Sequence, residues 1–199
     1  LTPDISIISE ETVHNSPKNN DKNFWLIDPI DGTKDYIKNK DEYTLNAALI
    51  IDLQPVLGVI YAPKKDRLFY SFGSNNAFEV IKGVKKKLNC SKKTEKGKVF
   101  AVHNSNTLTP DILEIHKQYN VHSFVQMRSS FKFCVVAAGE ADIYATRARA
   151  FEWDIAAGHA IVEHSGGSIT TTSGKKIFYG KKDYKNPSII VRRAKDLIT

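Results

Sequence analysis

Phe24-Trp25-Leu26-Ile27-Asp28-Pro29-Ile30-Asp31-Gly32-Thr33 is the stretch on which the reading of this chain turns. An apolar strand runs into two carboxylates three positions apart. Pro29 fixes one φ angle and removes an N–H between the acids, which stiffens the turn they occupy. Gly32 opens a backbone conformation closed to other residues and lets a ligand approach the main chain. A short helix expected over 34–38 would direct the N–H groups of Gly32 and Thr33 outward, where the helix dipole favours a phosphate. The Thr33 hydroxyl can orient a water molecule. Oxygen donors with no histidine among them favour Mg²⁺ over zinc. Asp-Pro and Asp-Gly are also common turn dipeptides; their combination with a preceding strand and a following threonine is what points to chemistry. An EF-hand is excluded, because Ile30 stands where an acid is required and Asp31 directly precedes the glycine. The Asp-x-Asp-Gly-Thr pattern of aspartyl-nucleophile phosphatases fails by one extra residue between the acids.

Outward from this stretch, strands are expected at 5–9, 24–27, 45–51, 56–61, 68–72 and 77–80, separated by polar or Pro/Gly turns. Their hairpin-like succession suggests an antiparallel sheet. Beyond a lysine-rich stretch at 82–98 the rhythm changes to alternating strand and helix. Strands are expected at 99–103, 142–144, 168–172 and 189–191. Helices are expected at 110–118, capped by Thr109 and opened by Pro110, at 130–138, and from 154 to the stop at Gly166-Gly167. The reading is an α+β protein in two parts, 1–95 and 96–199, the boundary falling within 92–98 and the second part holding a mixed sheet. Ala156, Ala157 and Gly158 lack bulk and would let the last helix pack closely on a strand.

Composition bounds the classes. With 199 residues, 41% hydrophobic and 26% charged, the chain is neither disordered, collagen-like nor a disulfide scaffold. The longest apolar runs, 47–51 and 134–138, fall far short of the roughly 20 residues of a membrane span. No signal segment opens the chain. Cys90 and Cys134 read as reduced thiols, and a cytoplasmic protein is expected. The net charge of +7 sits in lysine clusters at 85–87, 92–98 and 175–185. No interleaved aromatics or recognition helix accompany them, so they read as solvated faces and no nucleic-acid partner is expected.

Two further acidic elements matter. Ser9-Glu10-Glu11 follows the first strand, and Asp154 opens the helix in Trp153-Asp154-Ile155-Ala156-Ala157-Gly158. Each alone reads as a surface pair or a helix cap. Together with the Asp28–Thr33 segment they resemble the inositol monophosphatase superfamily of Mg²⁺-dependent, lithium-sensitive phosphatases. The strings Thr33-Lys34-Asp35-Tyr36-Ile37, Leu57-Gly58-Val59-Ile60-Tyr61-Ala62-Pro63, Ser129-Ser130-Phe131-Lys132-Phe133-Cys134 and Ala157-Gly158-His159-Ala160 are most similar to its bacterial 3′(2′),5′-bisphosphate nucleotidase branch.

The resemblance implies a layered αβαβα sugar-phosphatase fold, here without its N-terminal helices, with the active site between the two parts. It implies Glu10, Asp28, Asp31, Asp154 and the Ile30 carbonyl as ligands of two or more Mg²⁺ ions, with Mn²⁺ as a substitute. The resemblance gives Glu10, Asp31 and Thr33 catalytic roles. It further implies that Ile30, Asp31, Gly32, Thr33, Ser130, Lys132 and Asp154 would contact a nucleotide bisphosphate, which a metal-activated water would hydrolyse to AMP and phosphate without a phosphoenzyme. In the family the threonine is oriented by an acid from a Thr-x-Ala-Asp-like segment absent from this sequence, and a Pro-Arg pair is replaced by Ala145-Thr146, with Arg147 and Arg149 following. Arg128 stands where glycine is usual. These departures keep open an inositol or sugar phosphate substrate, or a truncated metal-binding protein with little turnover. The superfamily includes monomers and homodimers, and peripheral association with the inner membrane is compatible with its members.

Overall fold

Along Thr44–Ile51 every second residue is buried, beginning with Thr44 and Asn46 and continuing with Ala48 and Ile50, and the same period-2 alternation builds the first sheet from its neighbours. The computed structural model describes residues 2–13, 21–91 and 98–194. The first half supplies β1 (Ser6–Ser9), β2 (Phe24–Asp31), α1 (Thr33–Ile37), β3 (Thr44–Ile51), β4 (Gln54–Ala62), β5 (Arg67–Ser71), β6 (Ala77–Ile81) and β7 (Val84–Lys87). The seven strands lie side by side in chain order. From β2 onward all pairs are antiparallel, but β1 runs parallel to β2, with Ser9 opposite Ile27. This corrects the expectation of a purely antiparallel sheet. The long connection from Glu10 to Asn23 permits a crossover, where a short turn would have imposed a hairpin.

The second half contributes β8 (Val99–His103), α2 (Pro110–Gln118), β9 (Val121–Gln126), α3 (Phe131–Ala137), β10 (Ile143–Thr146), α4 (Glu152–His164), β11 (Ser168–Thr171) and β12 (Ile189–Arg192). Its five strands form a mixed sheet in the order β11-β12-β10-β8-β9. β8 is parallel to β9 and β10, while β12 is antiparallel to β10 and β11.

Helix α4 joins the layers. It is buried on nearly every face, from Trp153 to Val162, as expected of a helix enclosed between two sheets. It packs on β4, β3 and β2 with α3 beside it. The approach is close because Gly58 on β4 has no side chain: a Cβ there would lie 2.3 Å from the Ala157 carbonyl oxygen. One core cluster joins the first sheet (Phe24, Ile60, Phe69), the α3–α4 layer (Cys134, Ile161) and the inner face of the second sheet (Val191). A smaller cluster, with Ala101, Ile143 and Ile190, lies under Ile112 of α2 on the other face of that sheet. The order of layers is therefore sheet, helix pair, sheet, helix.

Two strands went unread in the sequence. β7 is Val84-Lys85-Lys86-Lys87, exposed throughout, where the lysines suggested only a solvated loop. Edge strands tolerate such lysines, which discourage further pairing, and the Lys85 amine sits 4.2 Å from the Phe78 ring centroid. β9 is largely exposed, and its apolar residues Val121, Phe124 and Val125 do not alternate with polar ones, so it too lacks the pattern that marks a strand. The expected boundary at 92–98 lies, apart from Lys98, outside the described residues. Cys90 and Cys134 are buried free thiols. No helix among the described residues is long and apolar enough to cross a membrane.

Candidate active site

A regular strand would send residues three positions apart to opposite faces. β2 avoids this with an irregularity: Asp28 pairs with Asn46 and Asp31 with Thr44, so three steps along β2 match two along β3. The extra residue, a β-bulge, turns both acids toward the same side. Expected to end at Ile27, the strand runs on through Asp31. The Ile30 N–H donates to Asp28 Oδ1 at 3.0 Å. Gly32 then turns the chain at φ 96°, and a Cβ at this position would lie 2.8 Å from the Glu42 carbonyl oxygen. The Thr33 hydroxyl donates to the Ile30 carbonyl at 3.1 Å.

Because β1 is parallel to β2, its C-terminal end arrives beside that of β2, and the Glu10 N–H donates to the Ile27 carbonyl at 3.2 Å. The third element is the first turn of α4, where Asp154 Oδ2 accepts the Phe151 N–H at 2.7 Å. Asp154 is thus a capping residue as well as a member of the cluster. Glu10, Asp28 and Asp154 each offer a carboxylate oxygen, and the three atoms lie within 4.8 Å of one another. Asp31 and the Ile30 carbonyl stand outside this tightest group. Asp31 Oδ2 accepts the Ser130 N–H.

The electrostatics show how close the acids are. Burial, followed by the charges of Asp31, Glu10 and Asp154, pushes the Asp28 pKa up to about 8. Burial and Asp31 bring Asp154 up to about 7, against the pull of the Phe151 N–H and Lys132. Burial first, then Glu11 and Asp31, raise Glu10. Asp31 is raised by burial despite Lys132 and Ser130, which favour its charge. Carboxylates gathered in this way repel unless they share protons or hold a cation. An all-oxygen donor set suits a hard divalent ion, so the residues present fit a metal centre.

Lys132 is buried, and its Nζ donates to the Ser129 carbonyl. Burial lowers its pKa to about 8, while Asp31 and Glu42 favour its charged form. Ser130 is also buried, with its hydroxyl 2.7 Å from that of Thr44 and 2.6 Å from Asn46 Oδ1. Of the two arginines after Thr146, Arg147 is turned to Asp111 at 3.3 Å, whereas the charge of Arg149 is felt by Lys132. The Arg128 N–H donates to Glu42 Oε2 at 3.1 Å, and its guanidinium meets buried Asp35 at 3.4 Å. Thr44, Asn46 and Glu42 did not emerge from the sequence as site residues. The available signal was the placement of Thr44 and Asn46 at the head of an alternation that continues Ala48, Ile50.

An oxygen-only acidic centre held between a sheet and the first turn of a buried helix has the make-up of a site for a hard divalent cation. The profile of the inositol monophosphatase family matches residues 1–199. The 3′(2′),5′-bisphosphate nucleotidase CysQ of Buchnera aphidicola is 39% identical over 180 residues, covering 90% of this chain and 67% of that protein. The CysQ of Salmonella typhimurium is 35% identical over 193 residues, covering 96% of this chain and 77% of that protein. The crystal structure of CysQ from Bacteroides thetaiotaomicron, described as a bacterial member of the inositol monophosphatase family, superposes with a TM-score of 0.80 at 31% identity, covering 95% of this chain and 77% of that one. The chain belongs to the inositol monophosphatase family, a metal-dependent family, and the comparisons support phosphatase function.

Proposed function

We propose that the chain is a Mg²⁺-dependent phosphomonoesterase that removes the 3′-phosphate of adenosine 3′,5′-bisphosphate to give AMP, with the 5′-phosphosulfate analogue as a further substrate, and that it acts in the cytoplasm. The observation that carries this reading is the convergence of Glu10, Asp28 and Asp154, from three distant segments, to within 4.8 Å. Its substrate rests on the nucleotidase relatives.

In this reading residues 1–95 supply Glu10, Asp28, the Ile30 carbonyl and Asp31, and residues 96–199 supply Asp154, to hold two or more Mg²⁺ ions. When bound, the ions polarise the phosphate, lower the pKa of water and stabilise the leaving oxygen. The chain's own residues do the rest. Glu10 takes the single proton of the attacking water, which Thr33 and Asp31 orient, and the departing 3′-oxygen takes a proton from solvent water as the P–O bond breaks. The main chain at Ile30–Thr33 holds the scissile phosphate, and Asp154 holds the ester side of the substrate. Lys132 supplies a point charge for the second phosphate, with Ser130 fixing the turn from which Lys132 projects.

Phosphate release from adenosine 3′,5′-bisphosphate and from inositol 1-phosphate, each with Mg²⁺ and with chelator, tests the proposal. The nucleotide should be hydrolysed faster, and only with metal. Preference for inositol phosphate refutes the substrate; metal binding without turnover refutes the activity.

A further inference from the structure

The inward face of β3 opens with two polar residues, Thr44 and Asn46, before turning apolar. Register sets Asn46 across from Asp28 and Thr44 across from Asp31. Both are buried, and neither belongs to the carboxylate group. Ser130 links them from the start of α3. Its hydroxyl donates to Asn46 Oδ1 at 2.6 Å and lies 2.7 Å from the Thr44 hydroxyl. A serine hydroxyl has one proton, so with that proton given to Asn46 the Thr44 hydroxyl must donate to Ser130. The chain of bonds thus runs in one direction, Thr44 to Ser130 to Asn46, and fixes the Asn46 amide with its NH₂ end away from Ser130. Asn46 Nδ2 is buried without a hydrogen bond of ordinary geometry, and the group it acts on is the Asp31 carboxylate, whose charged form the Asn46 side chain favours. An orphaned buried donor is costly and calls for an explanation. The Asp31 carboxylate supplies one: the Asn46 side chain favours its charge, beside the Ser130 N–H that is held on Asp31 Oδ2.

We propose that Asn46 is a positioning residue for Asp31: through Ser130 it locks the entry to α3, whose first N–H is tied to Asp31 Oδ2, and its own side chain acts directly on the Asp31 carboxylate, so that this carboxylate is held ready beside the acidic cluster. The network spans the two halves of the chain, since Thr44 and Asn46 come from the first sheet and Ser130 from the segment after β9. It therefore sets the position of the Asp31 carboxylate relative to Asp154 on α4. The inference rests on the metal-dependent reading above, and goes beyond it by assigning the β3 pair a part in building the centre.

The test is Mn²⁺ affinity, read by electron paramagnetic resonance, together with steady-state hydrolysis of adenosine 3′,5′-bisphosphate. Asn46→Ala and Thr44→Val should each weaken Mn²⁺ binding by roughly 10- to 100-fold, the usual range for residues that orient metal ligands. At saturating metal kcat should fall while substrate KM stays within about threefold. Thr44→Ser, which keeps the donor, should recover most of the wild-type affinity. Should Asn46→Ala not fold, the Val/Ser pair of variants at Thr44 decides alone. The proposal is overturned if the variants lose thermal stability but bind Mn²⁺ as the wild type does, or if Thr44→Ser binds as poorly as Thr44→Val. A wild-type protein that binds Mn²⁺ but does not hydrolyse the nucleotide would refute the proposed function, and the affinity measurements would still decide the role of Asn46.

Discussion

Replacing Asp28 by asparagine should make the metal-free protein more stable and the metal-bound protein less so. Asp28 is 1% exposed, and its pKa stands at about 8 against an ordinary 3.8. A folded-state value above the unfolded one means that the native state holds the proton more tightly. The contribution of Asp28 to stability is then fully present below about pH 4 and is lost as pH rises toward 8. The interval from 3.8 to pH 7 corresponds to at most about 4 kcal/mol. Because the acids titrate as a coupled set and share the strain, roughly half of that, about 2 kcal/mol, should be recovered by one neutral replacement. The asparagine keeps an oxygen to accept the Ile30 N–H, so little is lost locally. For a chain of this length about 2 kcal/mol is roughly 4–8 °C in Tm. Wild type at a Mg²⁺ concentration of about 100 Kd should gain about 2.7 kcal/mol, and the variant much less. Thermal melts of chelated and Mg²⁺-loaded protein from pH 5 to pH 8 check both signs. An Asp28→Asn variant less stable than wild type without metal at pH 7.5, or one with an undiminished metal-induced shift, would refute the reasoning.

Other perturbations test the scaffold and the cation. Gly58→Ala places a methyl group 2.3 Å from the Ala157 carbonyl oxygen; overpacking of this kind costs about 1–3 kcal/mol. Because it displaces the helix that carries Asp154, Mn²⁺ titration should weaken alongside the loss of Tm. Lys132→Met removes the buried cation beside Asp31 and Asp154, and steady-state kinetics should show substrate KM rising about tenfold or more, as expected for loss of a charged contact to phosphate. An unchanged KM would remove Lys132 from substrate binding.

What could be read in the sequence was what local chemistry dictates. Val99–His103 and Pro110–Gln118 follow from an apolar run and from a Thr-Pro helix start, and the small residues of α4 do meet a strand, at Gly58. Asp28 could be singled out from its own string, whereas Glu10 and Asp154, ordinary alone, stood out only in combination with it through the family resemblance. Their spacing in the fold could not be read, since it depends on the parallel pairing of β1 and on the β2 bulge, both set by partners distant in the chain. β7 and β9 escaped because exposed edge strands need no apolar alternation. Thr44 and Asn46 escaped for a related reason: polar residues on a strand read as outward-facing unless a buried partner such as Ser130 is known to meet them.

The most direct measurement is anomalous diffraction from crystals grown with Mn²⁺. The account predicts a strong peak among the side-chain oxygens of Glu10, Asp28 and Asp154, with an oxygen of Asp31 drawn into its coordination. Crystals saturated with Mn²⁺ whose three carboxylates enclose no peak would contradict it.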